Sequence, residues 1–118
     1  FDLQVKEALG VDIYQSPYDH QNHCLHHQEG RFDILILRLE TGDTLNEMCV
    51  RNFLGNKDFR LLRANEAQSK DYANLYSQFK NQVRLPQEYI DKIYDGRMAR
   101  HFYTEEERAA MRQKWLRV

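Results

Sequence analysis

Four consecutive apolar residues, Ile34-Leu35-Ile36-Leu37, constrain this chain more than any other stretch. In extended backbone, successive side chains point to opposite faces, so a run without a polar position must be covered on both sides. The pattern predicts one strong buried strand over about residues 32–40, with Phe32 to Leu39 as its body. Such a strand normally has parallel neighbours and helices above and below. Candidate neighbours are weak. Cys24 to Gln28 reads as a strand joined to the main one through a tight turn at Glu29-Gly30. Val11 to Tyr14 alternates apolar and polar, which suggests a short strand that Ser16-Pro17 ends. One strong strand and one or two weak ones do not make a self-sufficient sheet. Two architectures follow: the C-terminal, mostly helical portion of an α/β fold whose other strands lie upstream of Phe1, or a small α+β domain with a hairpin and four or five helices. At 118 residues without a Pro/Gly/Ser-rich linker, residues 1–118 read as one domain or as the C-terminal fragment of a larger one.

The rest is helical in pattern, with five or so helices. Phe1, Val5, Ala8 and Leu9 share a helical stripe, which Gly10 ends. Thr41-Gly42-Asp43-Thr44 reads as a loop and cap before Leu45, Met48, Cys49, Phe53 and Leu54, and Gly55 stops that helix. Phe59 to Leu62 has no clear type. Ser69 caps a helix with Tyr72, Leu75, Tyr76, Phe79 and Val83 on one stripe. Pro86 opens the next, which carries Tyr89, Ile90, Ile93 and Tyr94 and ends at Gly96. Thr104-Glu105-Glu106-Glu107 is a capping box for a last helix with Ala110, Met111 and Trp115 inside. Its acidic first turn and the late Arg112, Lys114 and Arg117 suit the helix dipole.

A net charge of −1 argues against nucleic acid as a partner, because phosphate binding calls for a basic excess. No apolar run approaches the roughly 20 residues of a membrane span. With no export signal visible, Cys24 and Cys49 read as free thiols, possible neighbours in space, and the compartment as cytoplasmic. His20, His23, Cys24, His26 and His27 crowd one segment. They are zinc-capable, with His20, His23 and Cys24 the sharpest candidate set, yet they match no structural zinc spacing, and no metal is expected. Cys24 or Cys49 paired with a histidine is a candidate nucleophile, against which Cys49 sits on an apolar stripe. The glycines stand apart, so no phosphate-cradling loop is present. Arg38 and Glu40 end the main strand, where open α/β sheets bind ligands. Arg97, Arg100 and His101 form a small basic group able to face an acidic glycan, or a solvated helix end.

The strand from Asp33 to Glu40, then Leu45 and Phe53-Leu54-Gly55, resembles a sulfotransferase pattern. A fuller resemblance, from Val11 to Trp115, is to the capsular polysaccharide synthesis family, a bacterial group similar to sulfotransferases. It adds Val11-Asp12-Ile13-Tyr14 and Pro17-Tyr18-Asp19 before the strand. After it come Asn65, Tyr72, Tyr76, Phe79-Lys80, Leu85-Pro86-Gln87-Glu88-Tyr89, Tyr94, His101-Phe102-Tyr103-Thr104 and Trp115. The resemblance implies a sulfotransferase-like three-layer α/β fold related to P-loop kinases, with phosphoadenosine phosphosulfate as donor and a polysaccharide hydroxyl as acceptor. It places the donor phosphate site and the acceptor base upstream of Phe1, so the missing N-terminal part of the fold is a partner and no catalytic residue is assigned here. Arg38, Glu40, Arg97, Arg100 and His101 are the candidate substrate contacts. Leu39 stands where relatives carry Tyr, and Thr41-Gly42 replaces their Asp-Leu. The competing reading is a non-catalytic helical protein-interaction module.

Overall fold

A computed structural model describes residues 1–64 and 70–116. The expected cap Ser69, the family-pattern Asn65 and the late Arg117 lie outside the described residues. The chain divides into two compact units, Phe1–Leu61 and Leu62–Val118. Together they hold six α-helices and one two-stranded sheet among the described residues, a mixed architecture compatible with an α/β class.

In the first unit, α1 (Asp2–Leu9) ends as its sequence predicts. Gly10 takes the left-handed conformation at φ 70°, and its N–H bonds the Lys6 carbonyl. Val11 to Tyr14 is not a strand. Asp12 accepts a hydrogen bond from the Tyr14 N–H and starts a single 3-10 turn over Ile13–Gln15. The alternation read there tracks burial instead: Val11 and Ile13 are both 1% exposed.

The hairpin forms as expected, from β1 (Cys24–Glu29) and β2 (Phe32–Leu37), with Glu29 opposite Phe32 and Cys24 opposite Leu37. Gly30 supplies the positive φ, 57°, that its two-residue loop needs. The pairing is antiparallel, as the tight turn requires. Two expectations are corrected. The strand stops at Leu37 rather than near residue 40, because β1 offers no residue beyond Cys24 to pair with and Leu39–Thr41 curls into a 3-10 turn. Ile34 to Leu37 are half-buried rather than buried. Both faces are nevertheless covered. Leu25 and His27 share one face with Phe32, Ile34 and Ile36. Ser16 and His27 Nδ1 hydrogen-bond at 2.6 Å, which brings the Val11–Tyr18 segment to that face. The opposite face, with Cys24, His26, Leu35 and Leu37, meets α2 (Asp43–Leu54), where His26 sits edge-on to Phe53 at 5.3 Å. Helix α2 starts two residues before the first expected apolar position, behind Gly42, and Gly55 ends it at φ 65°. Asn46, buried, anchors its start by donating to the Arg38 carbonyl at 2.9 Å.

The second unit is helical: α3 (Ala73–Gln82), α4 (Gln87–Tyr94), α5 (Arg97–Phe102) and α6 (Glu105–Leu116). The stripe on α3 has the expected period but is not core, since Tyr72, Leu75, Tyr76 and Phe79 are all exposed. Pro86 occupies the N-cap of α4, and Asp95, not Gly96, is its C-cap. Gly96 instead caps α5, an unanticipated helix that buries Ala99 and Phe102, as α4 buries Ile90. Ala110 is exposed, against expectation. The inner stripe of α6 is Arg108, Met111, Arg112, Trp115 and Leu116, because α4 presents carboxylates to it. Arg112 bonds both Asp91 and Asp95, and Arg108 donates to the Tyr94 carbonyl at 3.1 Å.

The capping box is formed as read: the Thr104 N–H donates to Glu107, and the Glu107 N–H donates to Thr104 Oγ1, each at 3.1 Å. Thr104→Ala is expected to lose about 1 kcal/mol, read as a lower denaturant midpoint at unchanged slope.

The Arg112 contact also sets an acid limit. Its hydrogen bond, followed by that of Gln87, holds the Asp91 carboxyl below the ordinary aspartate value. A carboxyl whose folded pKa is depressed contributes stability above the unfolded value, and that contribution is lost as pH falls through the folded one. Asp2 (bonded by Tyr14), Asp19 (bonded by Asn22) and Glu47 (bonded by the Leu61 N–H) are lowered too. Tm is therefore expected to fall as pH drops from about 5 towards 2. Arg112→Met should flatten that decline in part, and an unchanged slope would contradict the role given to this contact.

Candidate functional site

The hairpin and α2 leave a cleft on the outer face of the sheet. The loop before β1 forms its rim. Asp19 accepts from the backbone N–H groups of Gln21 (2.9 Å) and Asn22 (3.0 Å) and from the Asn22 side chain (2.7 Å). These bonds hold the turn in which His23 takes a positive φ of 62°. The turn closes with Asp19 N–H bonded to the Cys24 carbonyl at 2.8 Å, which delivers the chain into β1. Helix α2 supplies the facing wall, because Leu45, Met48, Cys49, Asn52 and Phe53 recur at helical spacing.

The resulting cavity has a volume of about 350 Å³. Gln21, Asn22, His23, His26 and Asn52 give it polar walls, and Leu35, Leu45, Met48 and Phe53 give it an apolar floor. Cys24 and Cys49 also line it. Cys49 Sγ donates to the Asn22 carbonyl at 3.3 Å, tying the helix to the rim. Burial pushes the Cys24 thiol up, with the neighbouring Cys49 adding to the shift. The combination of amides, imidazoles and an apolar floor suits a polyhydroxylated ligand of one or two rings. Hydroxyls find donors and acceptors at the walls, and a C–H face finds Phe53.

The histidine segment does not act as one cluster. Strand alternation sends His26 to the cleft side, bonded to Asp33, and buries His27 on the other face. His20 leans on Tyr18 at 4.9 Å, and only His23 and His26 of the four reach the cavity wall. Among the described residues, no three His, Cys, Asp or Glu side chains converge as metal ligands.

The residues singled out at the strand end lie apart from the cavity lining. The Arg38 guanidinium sits over the Tyr18 ring at 5.1 Å, and Glu40 is exposed in the 3-10 turn. In the second unit, Arg97 and Arg100 are exposed on α5, and His101 is half-buried beside Phe102 at 5.2 Å. Sequence reading missed Gln21, Asn22 and Asn52. The Asp19-x-x-Asn22 spacing, typical of a side-chain-closed turn, was the available signal for the rim. Nothing in the spacing marks Asn52 as a wall.

Among the described residues, no helix is long and apolar enough to cross a membrane. A family model described as "Putative capsular polysaccharide synthesis protein" matches residues 1–104. No curated protein and no solved structure matches the chain.

Proposed function

The chain belongs to the capsular polysaccharide synthesis family, and from that premise we propose that it is the acceptor-side part of a sulfotransferase-like protein that modifies a cell-surface polysaccharide. The carrying observation is the family match, which spans residues 1–104 and so every residue of the cleft. That match favours polysaccharide chemistry over the interaction-module reading. In this proposal a sugar unit lies in the cleft, its hydroxyls on Gln21, Asn22 and Asn52 and its apolar face on Phe53. Arg38 and Glu40 in the first unit and, separately, Arg97, Arg100 and His101 in the second are proposed contacts for charged groups of the acceptor.

Phosphoadenosine phosphosulfate is the donor in this reading. Its phosphates do not fit the described residues. The glycines stand singly, and α2 begins with Asp43 rather than with a cation near its N–H groups. Donor binding is therefore assigned to residues outside this sequence, and no chemical step is derived through the donor.

The test is calorimetric titration of the full-length protein with oligosaccharides cut from the producing cell's own surface polysaccharide. Asn52→Ala and Phe53→Ala are each expected to weaken binding about tenfold, the loss of one hydrogen bond or one ring contact. Circular dichroism checks that the variants fold. Wild-type protein that binds no such oligosaccharide, or variants that bind it equally well, would overturn the placement of the acceptor.

A further inference from the structure

Cys24 and Cys49 are 25 positions apart in the chain, yet the fold sets both on the wall of one cavity. Cys24 opens β1, and Cys49 lies in the middle of α2. Cys49 Sγ donates to the carbonyl of Asn22, two residues before Cys24, at 3.3 Å. Both are free and half-exposed, so a small oxidant can reach them through the cleft.

We propose that Cys24 and Cys49 are a redox-responsive thiol pair whose disulfide fastens the start of β1 to α2 across the cleft. The proposal does not depend on the polysaccharide assignment. The oxidant is a hydroperoxide. One thiol attacks it, the O–O bond breaks, and a sulfenic acid and one water (or alcohol) form. The second thiol attacks that sulfur, the S–S bond forms, and the hydroxyl leaves as water. Two thiols are thus oxidised and one peroxide is reduced. Cys49 already reaches the rim beside Cys24, and both side chains face one cavity, so rotation about the side-chain torsions is the main adjustment a disulfide requires. Burial raises the Cys24 thiol above its ordinary value, so this sulfur rests as the thiol rather than the thiolate. The bond closes a loop of roughly 25 residues, long enough to restrict the unfolded chain.

The experiment treats the full-length protein with hydrogen peroxide and maps its peptides without reduction. The expected result is one intramolecular Cys24–Cys49 link, a mass loss of about 2 Da, and a Tm higher by about 5 °C or more. Dithiothreitol should reverse all three. Cys24→Ser and Cys49→Ser should each fold by circular dichroism and show none of them. Thiols that both remain open to iodoacetamide after peroxide would overturn the proposal. So would separate oxidation of each cysteine to a sulfinic acid, or linkage only between different chains.

Discussion

Replacing Leu25 with alanine is expected to lower stability by about 2–5 kcal/mol, the range for a fully buried leucine whose removal leaves a cavity. Leu25 is 0% exposed, and it sits opposite Ile36 on the inner face of the hairpin. That face has few large residues to close over a gap. Val11, Ile13 and Tyr18 are its buried companions in the first unit, and the segment that bears them is held partly by the Ser16–His27 bond. A loss of this size is a large fraction of the stability of an ordinary domain. The control is Leu39→Ala. Leu39 lies in the segment expected to extend the main strand but is 88% exposed, so its removal should change stability by no more than about 0.5 kcal/mol. Denaturant titration of both variants, with amide exchange on β1 and β2, checks the contrast. Equal effects at the two positions would mean that the end of β2 has been placed wrongly.

In the second unit the corresponding residue is Ile90. It is 0% exposed on α4, and its truncation to alanine should likewise cost about 2–5 kcal/mol. The neighbouring Tyr89 and Ile93 are 52% and 42% exposed, so Ile93→Ala should be much milder. Amide exchange along α4 and α6 reports the loss directly, because α4 and α6 are tied by Arg112 to Asp91 and Asp95. A mild Ile90 variant beside a damaging Ile93 variant would reverse the inward face of α4.

Local chemistry explains why some elements were readable in advance. Gly10 and Gly55 end helices because each lies in the left-handed region that side chains avoid, and the sequence places them directly after apolar stripes. The Thr104 box and the Glu29-Gly30 turn are similarly self-contained. What depended on tertiary context was harder. Ile34 to Leu37 demanded cover on both faces, but the run could not say that its own hairpin partner, the Val11–Tyr18 segment and α2 would provide it. Helix α5 was hidden because Arg97, Arg100 and His101 dominate a six-residue element with only Met98, Ala99 and Phe102 as apolar signal. Period alone also could not tell the exposed stripe of α3 from a core stripe.

The candidate site shows the same division. The histidine-rich segment drew attention as a unit, and strand alternation then split it between two faces. Asn52 and Cys49 belong to the cleft only because α2 folds back over β1, a pairing that no motif records. The family, by contrast, was legible in the order of the pieces, from the Val11 segment through the strand and the Phe53-Leu54-Gly55 helix end, and the family model covers that whole span.

A chain that serves the synthesis of a cell-surface polysaccharide must change that polysaccharide when it is lost. The most direct test is to delete its gene and measure the amount, sugar composition and bound sulfate of the surface polysaccharide, with and without complementation. Polysaccharide-bound sulfate is expected to fall on deletion and to return with the intact gene. A polysaccharide unchanged in amount, composition and sulfate would contradict it.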